Sequence, residues 1–152
     1  MCTAAKDVIL SNHESYSDDL LLDLLGGART IAMVGASANP ARPSNGVMRY
    51  LLEHGFRVIP VNPGHAGDHI LGQTAYGRLA DIPEPIDIVD IFRRTEFVGG
   101  VVDEALRLRP LPKAIWMQLG IRDDAAAARA EAAGIVVVMN RCIKIEHSRL
   151  MG

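Results

Sequence analysis

The sequence predicts an α/β domain of the doubly wound, Rossmann-like type, with a mostly parallel sheet of five or six strands and helices on both faces. Two observations lead to this prediction. Short apolar runs recur along the chain, at residues 30–35, 56–61, 86–92, 113–118 and 135–139. Segments with helical spacing or helix-capping residues lie between those runs. Apolar strands that alternate with helices form parallel sheets covered on both faces, with right-handed crossovers.

The predicted helices begin at residues that suit a helix N-terminus. Ser17 precedes Asp18 and Asp19, whose carboxylates face the positive end of the helix dipole. Ser44 and Asp123 can cap two later helices in the same way. A further helix starts at Thr95, and its apolar face is formed by Val98, Val101, Val102 and Ala105. Within it Gly99 and Gly100 each cost about 1 kcal/mol relative to alanine, and close packing against a neighbour is one reason to keep them.

Length and composition set the remaining limits on the fold. A chain of 152 residues is the size of one domain. We expect an N-terminal arm at residues 1–16 and a single domain at residues 17–152. Residues 70–83 are predicted to hold a very short strand and a turn of helix. The tail from residue 141 onward is predicted to fold back over the sheet.

Charge and cysteine usage exclude several function classes. The formal net charge of −2 argues against a footprint for duplex nucleic acid. The two cysteines, Cys2 and Cys142, have no metal-ligand spacing and fit a reduced compartment. We find no signal-peptide pattern and no apolar segment of the roughly 20 residues that span a bilayer. The expected location is therefore cytoplasmic, without a membrane or nucleic-acid partner.

The loop after the first apolar run has the layout of a phosphate site. Gly35 and Ala36 allow a phosphate to approach the backbone, and Ser37 can donate its hydroxyl. The next helix offers free N–H groups, and Arg42 adds a permanent positive charge. The turn is longer than G-x-G-x-x-G, however, so an ordinary loop with Arg42 in solvent remains the alternative.

Three further strand ends supply candidate ligand contacts. The second ends at Val61, Asn62 and Pro63 without the carboxylate that normally holds the ribose of NAD, which disfavours that cofactor. Phe92 and Arg93 lie at the end of the third strand. Phe92 could line an adenine or a pantetheine arm, and Arg93 could meet a phosphate, with a weaker case for Arg94. Gln118 and Gly120 follow the fourth. Each case has a plain alternative. The residues after the second strand could form only a turn, the two arginines only a solvated charge pair, and Gln118 and Gly120 only a normal strand exit.

We identify no catalytic constellation or metal site in the sequence. Asp87 and Asp90 lie three apart in one strand, so they point to opposite faces and form no acid–base pair. Asp90 is expected to accept hydrogen bonds from a neighbouring loop. Cys142 has no obvious base beside it, and His65 and His69 lie in a turn.

Five motifs taken in order, VGASANPARPSN, VIPVNP, DIVDIFRR, WMQLGI and VVMNRC, resemble the small stand-alone CoA-binding protein family. That family is similar to the CoA-binding domain of the succinyl-CoA synthetase α subunit, and the resemblance covers about residues 17–146. It implies a Rossmann-like fold with coenzyme A across the carboxyl edge of the sheet. By position it implies phosphate contacts at Gly35, Ala36, Ser37, Arg42 and Asn45, nucleotide contacts at Val61, Asn62, Pro63, Phe92 and Arg93, and pantetheine contacts at Gln118 and Gly120.

The chain departs from the synthetase because it carries neither the second domain with the phosphorylated histidine nor an ATP-grasp partner. We therefore expect non-catalytic binding of coenzyme A or a CoA derivative. An NAD(P)-binding enzyme or redox regulator is one alternative, and a CoA-binding subunit of a multi-chain acyl-CoA ligase is another. The sequence leaves two partners possible, namely a second copy of this chain in a homodimer or a separate catalytic chain.

Overall fold

The structure is a computed structural model, and it describes residues 13–152. Its centre is a five-stranded parallel sheet. The strands are β1 (Thr30–Val34), β2 (Arg57–Val61), β5 (Ile88–Ile91), β6 (Ala114–Met117) and β7 (Val136–Val138). Their order across the sheet is β2-β1-β5-β6-β7. Nearly every residue of these strands is buried, which is why they read as continuous apolar runs. The predicted fold class is confirmed.

Within residues 13–152, five α-helices cover the two faces of the sheet. They are α1 (Asp18–Gly27), α2 (Pro43–Glu53), α3 (Thr95–Leu106), α4 (Asp124–Ala132) and α5 (Ile143–Met151). Helices α3 and α4 pack on one face, in a core that contains Val98 and Ala126. Helices α1, α2 and α5 pack on the other face, around Trp116. Within residues 13–152, no helix is both long enough and apolar enough to cross a bilayer.

The helix starts agree with the sequence prediction except at α2. Ser17 Oγ accepts a hydrogen bond from Leu20 N, and Asp123 Oδ1 accepts one from Ala126 N, so both residues cap their helices. Helix α2 instead begins at Pro43 with Arg42 at the N-cap position. The prediction that Ser44 caps this helix is wrong, because its hydroxyl accepts from Ser37 N at 3.1 Å and thereby holds the preceding loop.

The connection from β2 to β5 contains more structure than predicted. Two antiparallel strands of two residues each, β3 (His69–Ile70) and β4 (Gln73–Thr74), form a hairpin there. A turn of 3-10 helix follows at Leu79–Asp81. In α3, the prediction of close packing at both glycines is half right. A Cβ on Gly99 would meet the Arg129 side chain at 3.5 Å, whereas one on Gly100 would meet no atom within 4 Å.

Both ends of the described chain pack against the domain. Tyr16 accepts a hydrogen bond from Met139 N at 2.8 Å, and Glu14 forms an ion pair with Arg122 at 2.7 Å. The predicted arm at residues 1–16 is thus docked at its described end, and residues 1–12 lie outside the description. The tail forms α5, which packs on the same face as α2 and bonds to it through Tyr50 Oη and His147 Nδ1 at 2.7 Å.

Candidate functional site

A pocket of about 860 Å³ opens at the carboxyl edge of the sheet. Its walls come from the loops after β1, β2, β5 and β6 and from the N-cap position of α5. Strands β1 and β5 are neighbours, but the chain leaves β1 toward one side of the sheet and continues from β5 toward the other. The crevice therefore lies at the topological switch point, where open α/β sheets bind their ligands.

Gly35 brings the first loop against the end of β5. Its φ angle is +87°, and its N–H donates to Val61 O at 2.9 Å. A Cβ at this position would lie 2.5 Å from the carbonyl oxygen of Phe92. Only glycine meets both conditions, because side-chain residues avoid this backbone region and no space exists for a methyl group.

Hydrogen bonds hold the loop between β1 and α2 in one shape. Ser37 N donates to Ser44 Oγ, Ser37 Oγ accepts from Asn39 N at 3.0 Å, and Asn45 Nδ2 donates to Ser37 O at 3.0 Å. Ser37 Oγ keeps its own proton for donation to a ligand. Ser37 and Ser44 both line the pocket, and Arg42 is exposed at the start of α2.

The pocket is positively charged. Arg42, Arg93 and Arg94 line it, and no acidic residue from 13–152 does. Arg93 lies over the ring of Phe97 at 4.5 Å, which leaves its hydrogen-bonding edge available, and Arg94 is within 3.8 Å of Glu96. The N-termini of α2 and α3 also open onto the pocket and add partial positive charge. This arrangement suits an anion with more than one negative group.

The side of the pocket after β6 is uncharged. Leu119, Ile121 and Cys142 line it together with Gln118 and Gly120. Gly120 N donates to Asn140 Oδ1 at 2.7 Å, so the loops after β6 and β7 are tied to each other. Gln118 Nε2 donates to Asp90 Oδ1 at 2.6 Å, which confirms the expected role of Asp90 as an acceptor.

Asn62, at the end of β2, uses its side chain within the protein. Nδ2 donates to Ala36 O at 2.9 Å, and Oδ1 accepts from Gly64 N at 3.0 Å. Asn62 therefore links the loops after β1 and β2. No carboxylate lies at this strand end to receive the hydroxyls of a ribose.

The structure brings together eight of the twelve residues that the sequence identified as site candidates. Those that line the pocket are Gly35, Ser37, Arg42, Asn62, Phe92, Arg93, Gln118 and Gly120. The other four have different positions. Ala36 and Val61 are buried in the core, Asn45 braces the first loop, and Pro63 is exposed in the turn after β2. Direct contact of any of the twelve with a ligand stays a prediction.

Sequence reasoning missed several lining residues. They are Val47, Thr95, Leu119, Ile121 and Cys142, which the sequence pattern assigns to helix or loop positions without a ligand role. The sequence does contain a signal for two of them. Thr95 is the first residue of a helix that follows a strand, and Cys142 is the residue before another such helix, so both lie where a ligand can bind. The inward orientation of the apolar residues depends on how the loops pack.

The fold is of the Rossmann-like class, and the pocket lies at the edge of the sheet where proteins of this class bind their ligands. A family model described as "CoA binding domain" matches residues 29–148. The chain belongs to this family. It is related in turn to the CoA-binding part of acyl-CoA ligases, as the resemblance implied.

Three individual relatives illustrate the range of the similarity. The uncharacterized protein YneT of Bacillus subtilis is 36% identical over 126 residues, which are 83% of this chain and 90% of YneT. The structure of ID.343 from Thermus thermophilus has a TM-score of 0.85 at 42% identity, covering 90% of this chain and all of that one. The α subunit of an ADP-forming acetate–CoA ligase from Pyrococcus furiosus is 30% identical over 87 residues, 55% of this chain but 19% of the subunit.

Proposed function

We propose that this protein binds coenzyme A or a CoA derivative in the pocket at the carboxyl edge of the sheet, without catalysing a reaction on it. The observation that carries the proposal is the division of the pocket. Arginines and helix N-termini occupy the side formed after β1 and β5, and an uncharged wall occupies the side formed after β6. Coenzyme A has the matching division, with phosphates on its nucleotide and an uncharged pantetheine arm.

The wall after β2 favours coenzyme A over NAD. An NAD site needs an acceptor for the ribose hydroxyls at this strand end. Asn62 stands there, and both ends of its amide already bond to Ala36 and Gly64. The arginines could serve the extra phosphate of NADPH, so an NADPH-binding enzyme or redox regulator is the competing hypothesis that must be tested.

The lining residues support a binding role rather than catalysis. Within the described chain, no histidine, aspartate or glutamate lines the pocket and could act as a general base. Among residues 13–152, Cys142 is the thiol that lines the pocket, and none of these residues places a histidine or carboxylate base beside it in the lining. A reaction on the ligand would need groups that the lining residues from 13–152 do not supply, such as those of a separate chain in the multi-chain ligase alternative that the Pyrococcus furiosus relative suggests.

The test is thermal unfolding of the purified protein with coenzyme A, dephospho-CoA, NAD or NADPH, each at about 1 mM. A ligand at 100 times its Kd stabilises by about 2.7 kcal/mol, which raises the Tm of a domain this size by about 5–10 °C. We expect the largest shift with coenzyme A. A shift with NADPH alone would overturn the proposal. Co-purification with an ATP-grasp chain would instead favour the ligase subunit, and a cytoplasmic location stays a prediction.

A further inference from the structure

Asp90 is a buried acid in the centre of the sheet, and its surroundings do not explain its presence. Its register neighbours, Met33 on β1 and Trp116 on β6, are apolar and fully buried. Oδ1 accepts the bond from Gln118 Nε2, whereas Oδ2 has no hydrogen-bond partner in the described chain. A buried polar atom without a partner costs folding stability, so such an atom calls for a functional explanation.

Gln118 connects this buried acid to the pocket. Gln118 is one of the residues that line the pocket, although only 4% of it is exposed. A glutamine amide carries a donor NH₂ on one branch and an acceptor oxygen on the other. The NH₂ is engaged by Asp90, and Oε1 has no hydrogen bond to residues 13–152. Oε1 is also not a fully buried atom that lacks a partner, so it is accessible to solvent. The open space that Gln118 lines is the pocket.

We propose that Asp90 is a positioning residue that fixes the amide of Gln118 with Oε1 toward the pocket, where it accepts a hydrogen bond from an N–H group of the ligand. This inference rests on the proposed function and deepens it. A carboxylate can only accept hydrogen bonds, so it admits only the amide orientation that points NH₂ inward. The pocket then presents an acceptor at this point and selects a donor.

The neighbours of Gln118 indicate which part of coenzyme A supplies that donor. Leu119, Ile121 and Cys142 make this wall uncharged, whereas the arginines lie after β1 and β5. Phosphates would lose their cationic partners here, but an amide flanked by methylene groups fits both the acceptor and the apolar surface. The amide N–H groups of the pantetheine arm have this chemistry.

The protonation of Asp90 offers a readout that a merely structural residue would not give. Burial raises the pKa of Asp90 to about 7, and the hydrogen bond from Gln118 opposes this increase. Titratable residues at this face of the sheet include Tyr50, Cys142 and His147, and none of them contributes to the shift. A protonated Asp90 can donate to Oε1, which allows the amide to turn its NH₂ toward the pocket. Gln118 Oε1 then no longer accepts a hydrogen bond from the N–H group of the ligand.

The experiment is calorimetric titration of the full chain with coenzyme A and with adenosine 3′,5′-bisphosphate, which lacks the pantetheine arm. The variants are Asp90→Asn and Gln118→Met, with Gln73→Met as the matched control. In Asp90→Asn the side chain can offer Gln118 either its oxygen or its NH₂, so the amide of Gln118 is no longer fixed with Oε1 toward the pocket. At about pH 8 we expect Gln118→Met to weaken CoA binding by about tenfold, the effect of one lost hydrogen bond. Asp90→Asn should weaken it by about twofold to tenfold, and both variants should leave bisphosphate binding unchanged. Gln73 is bonded to Arg57 away from the pocket, so its variant should match the wild type.

The pH dependence completes the test. The ratio of wild-type to Gln118→Met affinity for coenzyme A should fall from about ten at pH 8 to about two at pH 6, as the wild-type Asp90 carboxyl becomes protonated. An equal loss for both ligands would show that Asp90 only maintains the fold, and an unchanged CoA affinity would also overturn the inference. If Asp90→Asn does not fold, Gln118→Met and the wild-type pH profile decide. Wild-type protein that binds neither ligand would refute the proposed function itself.

Discussion

A Cβ atom on Gly35 would lie 2.5 Å from the carbonyl oxygen of Phe92, so the first loop and the end of β5 meet in backbone contact. The pocket depends on this contact because Gly35 and Phe92 form adjacent parts of its wall. The two residues are far apart in sequence, and the pairing of β1 with β5 brings them together.

Gly35→Ala should therefore destabilise the protein and weaken CoA binding. The added methyl group must displace backbone, and the φ of +87° is strained for alanine, so we expect a loss of about 2–3 kcal/mol in the free energy of unfolding. Urea denaturation measures this loss. The control is Gly100→Ala, where no atom lies within 4 Å and helix propensity predicts a gain of up to about 1 kcal/mol. Equal stability of the two variants would contradict the assignment.

Arg42→Ala and Arg93→Ala should each weaken CoA binding by about 1.5–3 kcal/mol, the range for hydrogen bonds to charged groups. Both side chains line the pocket, and both variants should fold because neither residue lies in the core. Calorimetric titration with coenzyme A provides the measurement. Arg78→Ala is the control, since Arg78 is exposed and bonds to Asp81 outside the pocket. Unchanged affinity in both pocket variants would mean that the phosphates bind elsewhere.

Bound coenzyme A should protect Cys142 from alkylation. Cys142 is half-buried and lines the pocket, so a ligand on the uncharged wall covers its Sγ. A Cys2→Ser background leaves one thiol in the chain. The ligand is added as acetyl-CoA, which has no free thiol to consume the reagent. At 100 times Kd, the iodoacetamide reaction should slow by about 100-fold, because only free protein reacts. NAD at the same concentration serves as the control. Protection by NAD but not by acetyl-CoA would contradict the ligand assignment.

Asp87 and Asp90 should have opposite effects on the pH dependence of stability. Burial raises the pKa of Asp90 to about 7, so the folded state binds the extra proton and stability falls as pH rises from about 4 to 7. The loss is at most about 4 kcal/mol. Burial also acts to raise the pKa of Asp87, but hydrogen bonds from the N–H groups of Thr30 and Arg29, together with Lys113, outweigh it and lower that pKa.

The two asparagine variants separate these contributions. Asp90→Asn should raise the free energy of unfolding at about pH 8 and flatten its decline between about pH 4 and 7. Asp87→Asn should reduce stability at neutral pH, because Asp87 stabilises the fold above its unfolded pKa and loses that effect only as pH falls through its folded pKa. Chemical denaturation at a series of pH values tests both. An Asp90→Asn variant less stable than the wild type at pH 8 would contradict the burial argument.

The sequence by itself determined the order of the elements and half of the residues that line the candidate pocket. The buried strands read as apolar runs because both faces of the sheet are covered, and the caps at Ser17 and Asp123 need only their own helices. The strand ends carry the ligand candidates because parallel strands bring all their carboxyl ends to one edge. Eight of the twelve candidates line one pocket, and predicting that they lie close together required no tertiary contacts.

Only the tertiary structure decided how those residues are used. Ser44 holds the loop before α2 rather than capping that helix. The side-chain amide of Asn62 forms hydrogen bonds to the backbone of Ala36 and Gly64 instead of remaining available to a ligand. Asp90 and Gln118 share one bond because β5 pairs with β6, a neighbour relationship between residues 28 positions apart. Local patterns fix what a residue can do, whereas the partner that satisfies a hydrogen bond is set by strands and loops that pack from distant parts of the chain.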